Sequence, residues 1–403
     1  MSRRVVVTGL GAVCSLGNNV REFWSGLEAG KCGIVKRSIG PGDGLEITVP
    51  IAPADGFDSQ AEALGRDLAR ADRFSKFAVA AADEALKDSG IEITPELSLR
   101  AAAIIGTGIG GAGSQDDAYY SMMKNGRRPH PLTILRIIPN APASHLSIRY
   151  GLKGPAFAVS SACASGAHAI GVCADLIRAG TADIGFAGAS EAVLSYGPLE
   201  AWRAMHIMSD DLCRPFSKNR KGLVIGEGAG VLMLEEFERA RARGATIHAE
   251  LVGFGMNADG KDMINPAVEG AAGAVRAAIA GLGISDARSV YINAHGTGTL
   301  MNDPTETKAL REVFGADADG LVVSSTKSMH GHLLGAAGGV EAVASILALK
   351  KGVAPPTINY DEKDPACDLD YCPNEPRSRA FEWAISNSFA FGGLNAVLAF
   401  KRV

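Results

Sequence analysis

Short β-branched apolar runs alternate with alanine-rich stretches along the 403 residues of the chain. A short apolar run bounded by turn residues predicts a strand, and apolar positions spaced by three and four predict a helix. The predicted strands are Arg4–Thr8, Ala102–Gly106, Ala156–Ser160, Ile184–Ala187, Ala229–Glu235, Ala249–Gly253, Ser289–Asn293, Gly320–Ser324, Trp383–Asn387 and Ala396–Lys401. The predicted helices are Val20–Ala29, Phe74–Ser89, Ser165–Ala179, Ala271–Gly281, Asp303–Val313 and Ala336–Lys350. This alternation indicates an α/β protein built of layers.

The charged stretch Arg239–Thr246 interrupts the pattern and leaves about five predicted strands on each side. We therefore predict two halves, residues 1–245 and 246–403, although sequence identity between them is too weak to show a repeat. Gly111–Pro142 and Ser195–Asn219 look like insertions that mix apolar and basic residues. Both are candidates for substrate or partner contact, and solvated loops are the alternative.

Composition narrows the class of protein. The apolar fraction of 47% and charged fraction of 21% are typical of globular proteins. A net charge of −4 offers no basic excess to a nucleic acid, and no apolar run is long enough to span a membrane. The first nine residues lack a signal peptide's apolar stretch, and the seven cysteines show no metal-binding spacing. We expect a cytoplasmic protein with reduced thiols and no bound metal.

Cys163 is the first candidate for chemistry. It follows a predicted strand and opens a helix within the small-residue run 159–166. A strand–turn–helix setting points a side chain out of a sharp turn, and the positive end of a helix lowers the pKa of a thiol. The alternative, a buried inert cysteine, fits most of the other six. The sequence thus favours Cys163 as a nucleophile.

Two histidines and a lysine stand in further small-residue motifs. His295 ends a predicted strand and enters a Gly/Thr loop that contains Thr297 and Thr299, whose hydroxyls suit an amide-rich ligand arm. A lone histidine in such a place is more often a structural hydrogen-bonding group. Lys327 and His332 follow another apolar run. Carbon–carbon bond formation between thioesters needs a thiol to hold an acyl group and imidazoles to stabilise an enolate.

An acidic residue and a glycine-rich stretch are further candidates for the site. Glu341 lies on the predicted helix after His332 and could orient Lys327 electrostatically. The glycine-rich stretch 106–111 lacks the lysine of a phosphate-binding loop and a clear downstream acid. We interpret it as a turn over the active site.

The chain resembles the β-ketoacyl-acyl carrier protein synthases, most closely the synthase II type of fatty-acid elongation. The likeness covers nearly the whole chain, through residues 5–11, 225–230 and 387–396 besides the cysteine and histidine motifs. The resemblance implies the thiolase fold, a five-layer αβαβα arrangement of two similar halves that usually forms a homodimer.

The resemblance also implies roles for individual residues. Cys163 would take an acyl chain from acyl carrier protein, and His295 and His332 would support decarboxylation of a malonyl thioester. Lys327 would organise the site, and the N–H of Phe391 would complete an oxyanion hole with that of Cys163. The residues assigned to substrate binding are Thr297, Thr299, Ile109 and Glu341.

Carrier protein is the partner that the resemblance implies, and it brings its own phosphopantetheine arm, so no further cofactor is expected. Carrier protein is acidic, which calls for a local basic patch despite the negative net charge. The candidate docking residues are Arg66, Arg70, Arg127, Arg128 and Arg203. Each alone could be an ordinary surface charge.

The chain departs from the family pattern at several positions. His330 replaces a threonine, Ala390 replaces a glycine of the gating loop, and Leu394 replaces a threonine. Leu300 and Met301 follow Thr299, where the family usually has a proline nearby. We hypothesise that gating or chain specificity differs from that of the housekeeping enzyme.

Three alternatives to fatty-acid elongation follow from the family. A specialised ketosynthase for nodulation-factor, aryl polyene or polyketide acyl chains is the main one. A non-decarboxylating thiolase is disfavoured because residues 387–395 contain no second cysteine. A non-catalytic chain-length partner is disfavoured because Cys163 is present.

Overall fold

The computed structural model describes residues 3–403, so the first two residues of the predicted N-terminal half lie outside the described part. The strands are β1 Val5–Val13, β2 Val35–Gly42, β3 Leu45–Ala52, β4 Ala101–Gly106, β5 Ala156–Val159, β6 Ile184–Glu191, β7 Ile225–Gly226, β8 Gly228–Glu236, β9 Ala249–Ala258, β10 Val290–Asn293, β11 Val322–Ser324, β12 Val353–Ala354, β13 Arg377–Ser378, β14 Trp383–Ala390 and β15 Leu394–Lys401. The α-helices are α1 Val20–Glu28, α2 Phe57–Ala63, α3 Arg73–Ser89, α4 Pro95–Ser98, α5 Ala112–Asn125, α6 Thr133–Ile137, α7 Ala141–Tyr150, α8 Ser165–Arg178, α9 Tyr196–Ala204, α10 Phe237–Ala242, α11 Val268–Ile279, α12 Asn302–Phe314, α13 Lys327–His330 and α14 Ala337–Lys351.

The main sheet repeats one strand order. Its first five strands run β5-β4-β6-β8-β1, and its last five run β11-β10-β14-β15-β9. In each set the first three strands are parallel and the last two join antiparallel. A short pairing of β1 with β9 joins the sets. The predicted similarity of the two halves is therefore confirmed, whereas the division between residues 245 and 246 stays a prediction.

The two sets of strands form two layers, and the helices form three more. Helices α3 and α7 cover the outer face of the first set of strands, and α11, with α12 beside it, covers the second. Helices α8 and α14 lie between the two sets and contact strands of both. Because both of its faces meet a sheet, α14 is buried at every residue from Ala337 to Leu349. This is the predicted αβαβα arrangement.

Several parts of the chain differ from the sequence prediction. The short elements that were not predicted are α2, α4, α7, α10, α13, β7, β12 and β13, and two larger parts also differ. Residues 35–52 form the hairpin β2–β3, which was not predicted because β2 is almost wholly exposed and shows no regular apolar alternation. The stretches expected to be insertions contain helices α5, α6 and α9. Few side chains of α5 and α9 are buried, which explains why their apolar periodicity is weak.

Glycines bring the two central helices into contact. A Cβ on Gly166 of α8 would lie 2.6 Å from the backbone nitrogen of Gly339 on α14. A Cβ on Gly338 would lie 2.6 Å from the nitrogen of Ala167. The backbones therefore approach more closely than any side chain permits, which draws the N-terminal ends of α8 and α14 together.

We predict that Gly166→Ala lowers the free energy of unfolding by about 1–3 kcal/mol, because the added methyl group overpacks this contact. Urea denaturation measures the change. Gly113→Ala on α5 is the matched control, since its Cβ would have no neighbour closer than 4.0 Å. An equal effect of the two substitutions would contradict the role of the contact.

Candidate active site

Cys163 lies in a tight turn between β5 and α8. The preceding residue, Ala162, has a φ of 48°, a left-handed conformation that is uncommon for a residue with a side chain. The hydroxyl of Ser165 holds the turn, because it accepts from the N–H of Ser161 (2.9 Å) and donates to the carbonyl of Ala162 (2.6 Å). Cys163 is only 5% exposed to solvent, and the turn places its thiol in the wall of a cavity.

His332 contacts the thiol directly. Its Nε2 lies 3.1 Å from Sγ of Cys163. Its Nδ1 accepts a hydrogen bond from the N–H of Leu334 at 3.2 Å, so the proton of the neutral ring is on Nε2. The His332 backbone is also fixed, because its N–H donates to Val224 (2.6 Å) and its carbonyl accepts from Gly226 (2.9 Å).

His295 stands beside His332 at the end of β10. The two rings meet edge to face with their centroids 5.5 Å apart. The carboxylate of Glu306 accepts from the N–H groups of His295 and Gly296, both at 2.8 Å, and from the side chain of Asn387 at 3.0 Å. Nδ1 of His295 has no hydrogen-bond partner among residues 3–403. Glu306 therefore positions the loop that carries His295.

Lys327 and Glu341 form an ion pair behind the histidines, and both side chains are fully buried. One carboxylate oxygen of Glu341, Oε2, has no hydrogen-bond partner within the described chain. Burial raises the pKa of Glu341 to about 7, against the lowering effect of Lys327. Neither side chain lines the cavity. The geometry fits the orienting role considered for Glu341, and its assignment to substrate binding stays a prediction.

Burial controls the protonation of the reacting groups. It lowers the pKa of both His295 and His332 well below the usual value, and the charge of Lys327 adds to the effect. Burial raises the pKa of the Cys163 thiol to about 12, and Lys327 opposes that rise. The expectation of a lowered thiol pKa was therefore wrong, since burial disfavours the charged thiolate.

Cys163, His295 and His332 line one cavity of about 250 Å³. The predicted site residues that line it are Cys163, His295, His332, Thr297, Thr299 and Phe391. Ile109 is absent from this lining and 44% exposed, so its predicted contact with an acyl chain stays a prediction. Leu300 and Met301, which mark departures from the family pattern, also line the cavity.

Two features shape the walls of the cavity. The hydroxyls of Thr297 and Thr299 lie 2.9 Å apart and form a polar pair. Phe391 belongs to the turn between β14 and β15, and its ring centroid lies 6.1 Å from that of Trp202.

Ala390 sits at the end of β14, where it pairs with Leu394. The positive φ values of the turn fall on Gly392 and Gly393, so an alanine at position 390 fits without strain in this conformation. Whether Ala390 alters the movement of the turn stays a hypothesis.

The predicted docking arginines lie at the surface. Arg66, Arg70, Arg127 and Arg128 are exposed. Arg203 is also exposed, but its guanidinium pairs with Glu200 on the same helix. Their role in docking stays a prediction.

Sequence reasoning missed two buried carboxylates. Glu306 is one, and Glu191 is the other. Glu191 accepts from the N–H groups of Gly108 (2.6 Å) and Gly335 (3.0 Å) and from the hydroxyl of Thr107 (3.0 Å). It thereby ties the turn after β4 to the loop that follows His332. The sequence signal for Glu191 was that a charged residue ends an otherwise apolar stretch.

Comparison with known proteins gives consistent results. A family model described as "Beta-ketoacyl synthase, N-terminal domain" matches residues 2–240, and one described as "Beta-ketoacyl synthase, C-terminal domain" matches residues 248–361. The chain is similar to a Nodulation protein E of Rhizobium sp. (strain N33), with 44% identity over the full length of both chains. It is 41% identical to a 3-oxoacyl-[acyl-carrier-protein] synthase 2 of Coxiella burnetii (strain RSA 493 / Nine Mile phase I), over 100% of this chain and 99% of that one.

A solved structure is similar as well. It is titled as a type II PKS acyl-carrier protein in complex with its ketosynthase bound to the hexaketide, and the matched chain has a TM-score of 0.88 and 33% identity over all of both chains. The chain therefore belongs to the beta-ketoacyl synthase family and has its thiolase-like α/β fold. No helix among residues 3–403 is both long and apolar enough to cross a membrane.

We predict that Glu341→Leu lowers the free energy of unfolding by about 3–5 kcal/mol, because it leaves the buried charge of Lys327 without a partner. Chemical denaturation measures the loss. The double variant Lys327→Met/Glu341→Leu removes both charges and should recover most of the stability. A double variant as unstable as Glu341→Leu would contradict the predicted effect of the unpaired charge.

Proposed function

We propose that this β-ketoacyl synthase joins an acyl group held on Cys163 to a malonyl thioester, with loss of carbon dioxide, and releases a 3-oxoacyl thioester. One observation carries the proposal. Nε2 of His332 lies 3.1 Å from the Cys163 thiol, and the ring of His295 stands beside it in the same cavity. A nucleophile and two neutral imidazoles are thus within reach of one small substrate.

Acyl transfer is the first half-reaction. Sγ of Cys163 attacks the carbonyl carbon of an acyl thioester, a new carbon–sulfur bond forms, and the bond to the incoming carrier's sulfur breaks. Because burial raises the pKa of the Cys163 thiol to about 12, the resting group is the protonated thiol. Its proton ends on the departing sulfur, so one thiol is exchanged for another without net proton release. The N–H groups of Cys163 and Phe391 would stabilise the tetrahedral oxyanion.

Decarboxylative condensation is the second half-reaction. The bond between the malonyl carboxylate and its α-carbon breaks, carbon dioxide leaves, and the electron pair forms an enolate. Neutral imidazoles donate hydrogen bonds to the enolate oxygen, and His332 carries its proton on the required Nε2. The α-carbon then attacks the acyl carbon on Cys163, the carbon–sulfur bond breaks, and the thiolate that is released takes up a proton.

Acyl carrier protein is the proposed donor of both thioesters. The similar ketosynthase in complex with an acyl-carrier protein supports this assignment. The phosphopantetheine arm would pass Thr297 and Thr299, and the exposed arginines would meet the acidic carrier. The proposed reaction needs no metal or redox cofactor, and we propose that it takes place in the cytoplasm.

Two pathways fit this reaction. Fatty-acid elongation is supported by 41% identity to the 3-oxoacyl-[acyl-carrier-protein] synthase 2. A specialised ketosynthase is supported by 44% identity to the Nodulation protein E and by Leu300 and Met301, which place apolar side chains in the cavity wall. The two pathways differ in the acyl chain that the enzyme accepts.

We expect a 3-oxoacyl product when the protein is incubated with malonyl-carrier protein and a series of acyl-carrier proteins of graded chain length. Mass spectrometry identifies the product. Cys163→Ala should abolish it, because no acyl group can be held on the enzyme. Saturated chains of ordinary membrane length as the preferred substrates would support elongation, and preference for an unusual chain would support a specialised pathway.

The same experiment can refute the proposal. Full product formation by Cys163→Ala would show that this thiol is not the acyl carrier. Acyl transfer to Cys163 without any 3-oxoacyl product, whichever chain is offered, would contradict the condensing reaction.

In Ala390→Gly, an unchanged rate and chain-length preference would contradict the hypothesis of altered gating.

A homodimer is the proposed assembly. Strand β5 is an edge of the main sheet, and its Phe157 is 39% exposed. Ile134 and Leu135 on α6 are 67% and 58% exposed. An unpaired strand edge that carries an exposed apolar side chain favours association with a second chain.

We predict that Phe157→Lys shifts the protein from dimer to monomer, because it places a charge on the proposed contact. Light scattering after size-exclusion chromatography measures the mass. Leu99→Lys is the control, since Leu99 is 60% exposed but lies before the start of β4. A monomeric wild type, or a Phe157→Lys variant that stays dimeric, would contradict this interface.

A further inference from the structure

We propose that His330 is a positioning residue for His332, and this inference rests on the proposed function. His330 is fully buried and is the last residue of the one-turn helix α13, two positions before His332. Its Nδ1 lies 2.9 Å from the carbonyl oxygen of Gly331, the residue between the two histidines. A carbonyl can only accept, so the proton of His330 is on Nδ1 and the ring donates it to Gly331.

The peptide joining Gly331 to His332 is held from both sides. Its carbonyl accepts from His330, and its N–H donates to the carbonyl of Val224 at 2.6 Å. In a trans peptide these two groups point in opposite directions, so the two bonds together stop the peptide plane from rotating. His330 supplies one of the two.

Gly331 is the reason that such a restraint is needed. Its φ is 71°, and a Cβ there would lie 2.9 Å from the side chain of Ala52 and 3.0 Å from the carbonyl of Val224. Only glycine fits, and glycine is the residue with the greatest backbone freedom. The residue before a reacting histidine is thus intrinsically flexible, and the His330 hydrogen bond opposes that flexibility.

The other nitrogen of His330 supports a specific use of this side chain. Nε2 is buried and has no hydrogen-bond partner among residues 3–403, and the nearest ring is Phe23, with a centroid distance of 6.3 Å. An unpaired buried acceptor is unfavourable, so the imidazole is not explained by packing alone. Burial and the nearby Lys327 lower the pKa of His330 to about 3, which keeps the ring neutral and its Nδ1 a constant donor near neutral pH.

The two half-reactions separate positioning from general stability. Acyl transfer to Cys163 is followed by intact mass with octanoyl-acyl carrier protein, and decarboxylation is followed by carbon dioxide release from malonyl-acyl carrier protein. We expect His330→Leu to slow decarboxylation about 10- to 100-fold, because a small displacement of a reacting group has effects of that size. Acyl transfer should stay within about twofold, since it does not depend on the enolate.

Two further variants complete the experiment. His330→Asn keeps a short N–H donor and should restore much of the decarboxylation lost in His330→Leu. Met329→Leu changes the neighbouring buried side chain at nearly constant volume and should leave both half-reactions unchanged. Equal losses in both half-reactions of His330→Leu, or no rescue by His330→Asn, would overturn the inference.

A readout without substrate keeps this inference distinct from the proposed function. Long-range ¹H–¹⁵N spectra of protein labelled at histidine report which ring nitrogen of His332 carries the proton, and His332→Gln assigns the signal. Wild type should show the Nε2–H tautomer alone, and His330→Leu should show a mixture or broadened signals. An unchanged His332 signal would overturn the inference, whereas a wild type that does not decarboxylate malonyl thioester would overturn only the proposed function.

Discussion

The contact between α8 and α14 is the constraint on which the site depends. Gly166 and Gly339 let the two backbones meet without intervening side chains. Helix α8 follows β5, and α14 follows the corresponding strand β11 of the other half, with the short helix α13 between them. The turns just before α8 and α14 are therefore brought together from opposite halves. Those turns carry Cys163 and His332, whose reacting atoms lie 3.1 Å apart across 169 positions of sequence. The duplicated fold thus supplies the nucleophile from one half and the imidazole from the other.

Burial gives this site its chemical character. Both imidazoles are neutral donors because desolvation disfavours their charged forms, and the nearby buried cation Lys327 is paired with Glu341. In such surroundings hydrogen bonds to a developing oxyanion are stronger than in water. The same burial raises the pKa of Cys163, which favours the protonated thiol over the thiolate before substrate binds.

The sequence predicted the features that produce a recognisable pattern of neighbouring residues. The strands of the main sheet are apolar enough to be recognised, and Cys163 and His295 each follow such a strand. The hairpin β2–β3 was not predicted because its first strand is exposed. Helices α5 and α9 were not predicted because few of their side chains are buried. Glu306 and Glu191 were missed, because each acts by accepting hydrogen bonds from backbone N–H groups, and the positions of backbone groups have no sequence signature. The raised pKa of Cys163 also depends on packing from distant segments, which a motif does not report.

The most direct test of the account is a crystal structure with a malonyl thioester analogue in which an amide replaces the thioester. We predict that the analogue's carbonyl oxygen lies within hydrogen-bonding distance, about 2.7–3.2 Å, of a ring nitrogen of both His295 and His332, with its α-carbon facing Sγ of Cys163. An analogue bound in this cavity with its carbonyl oxygen turned away from both imidazoles would contradict stabilisation of the enolate by the two histidines.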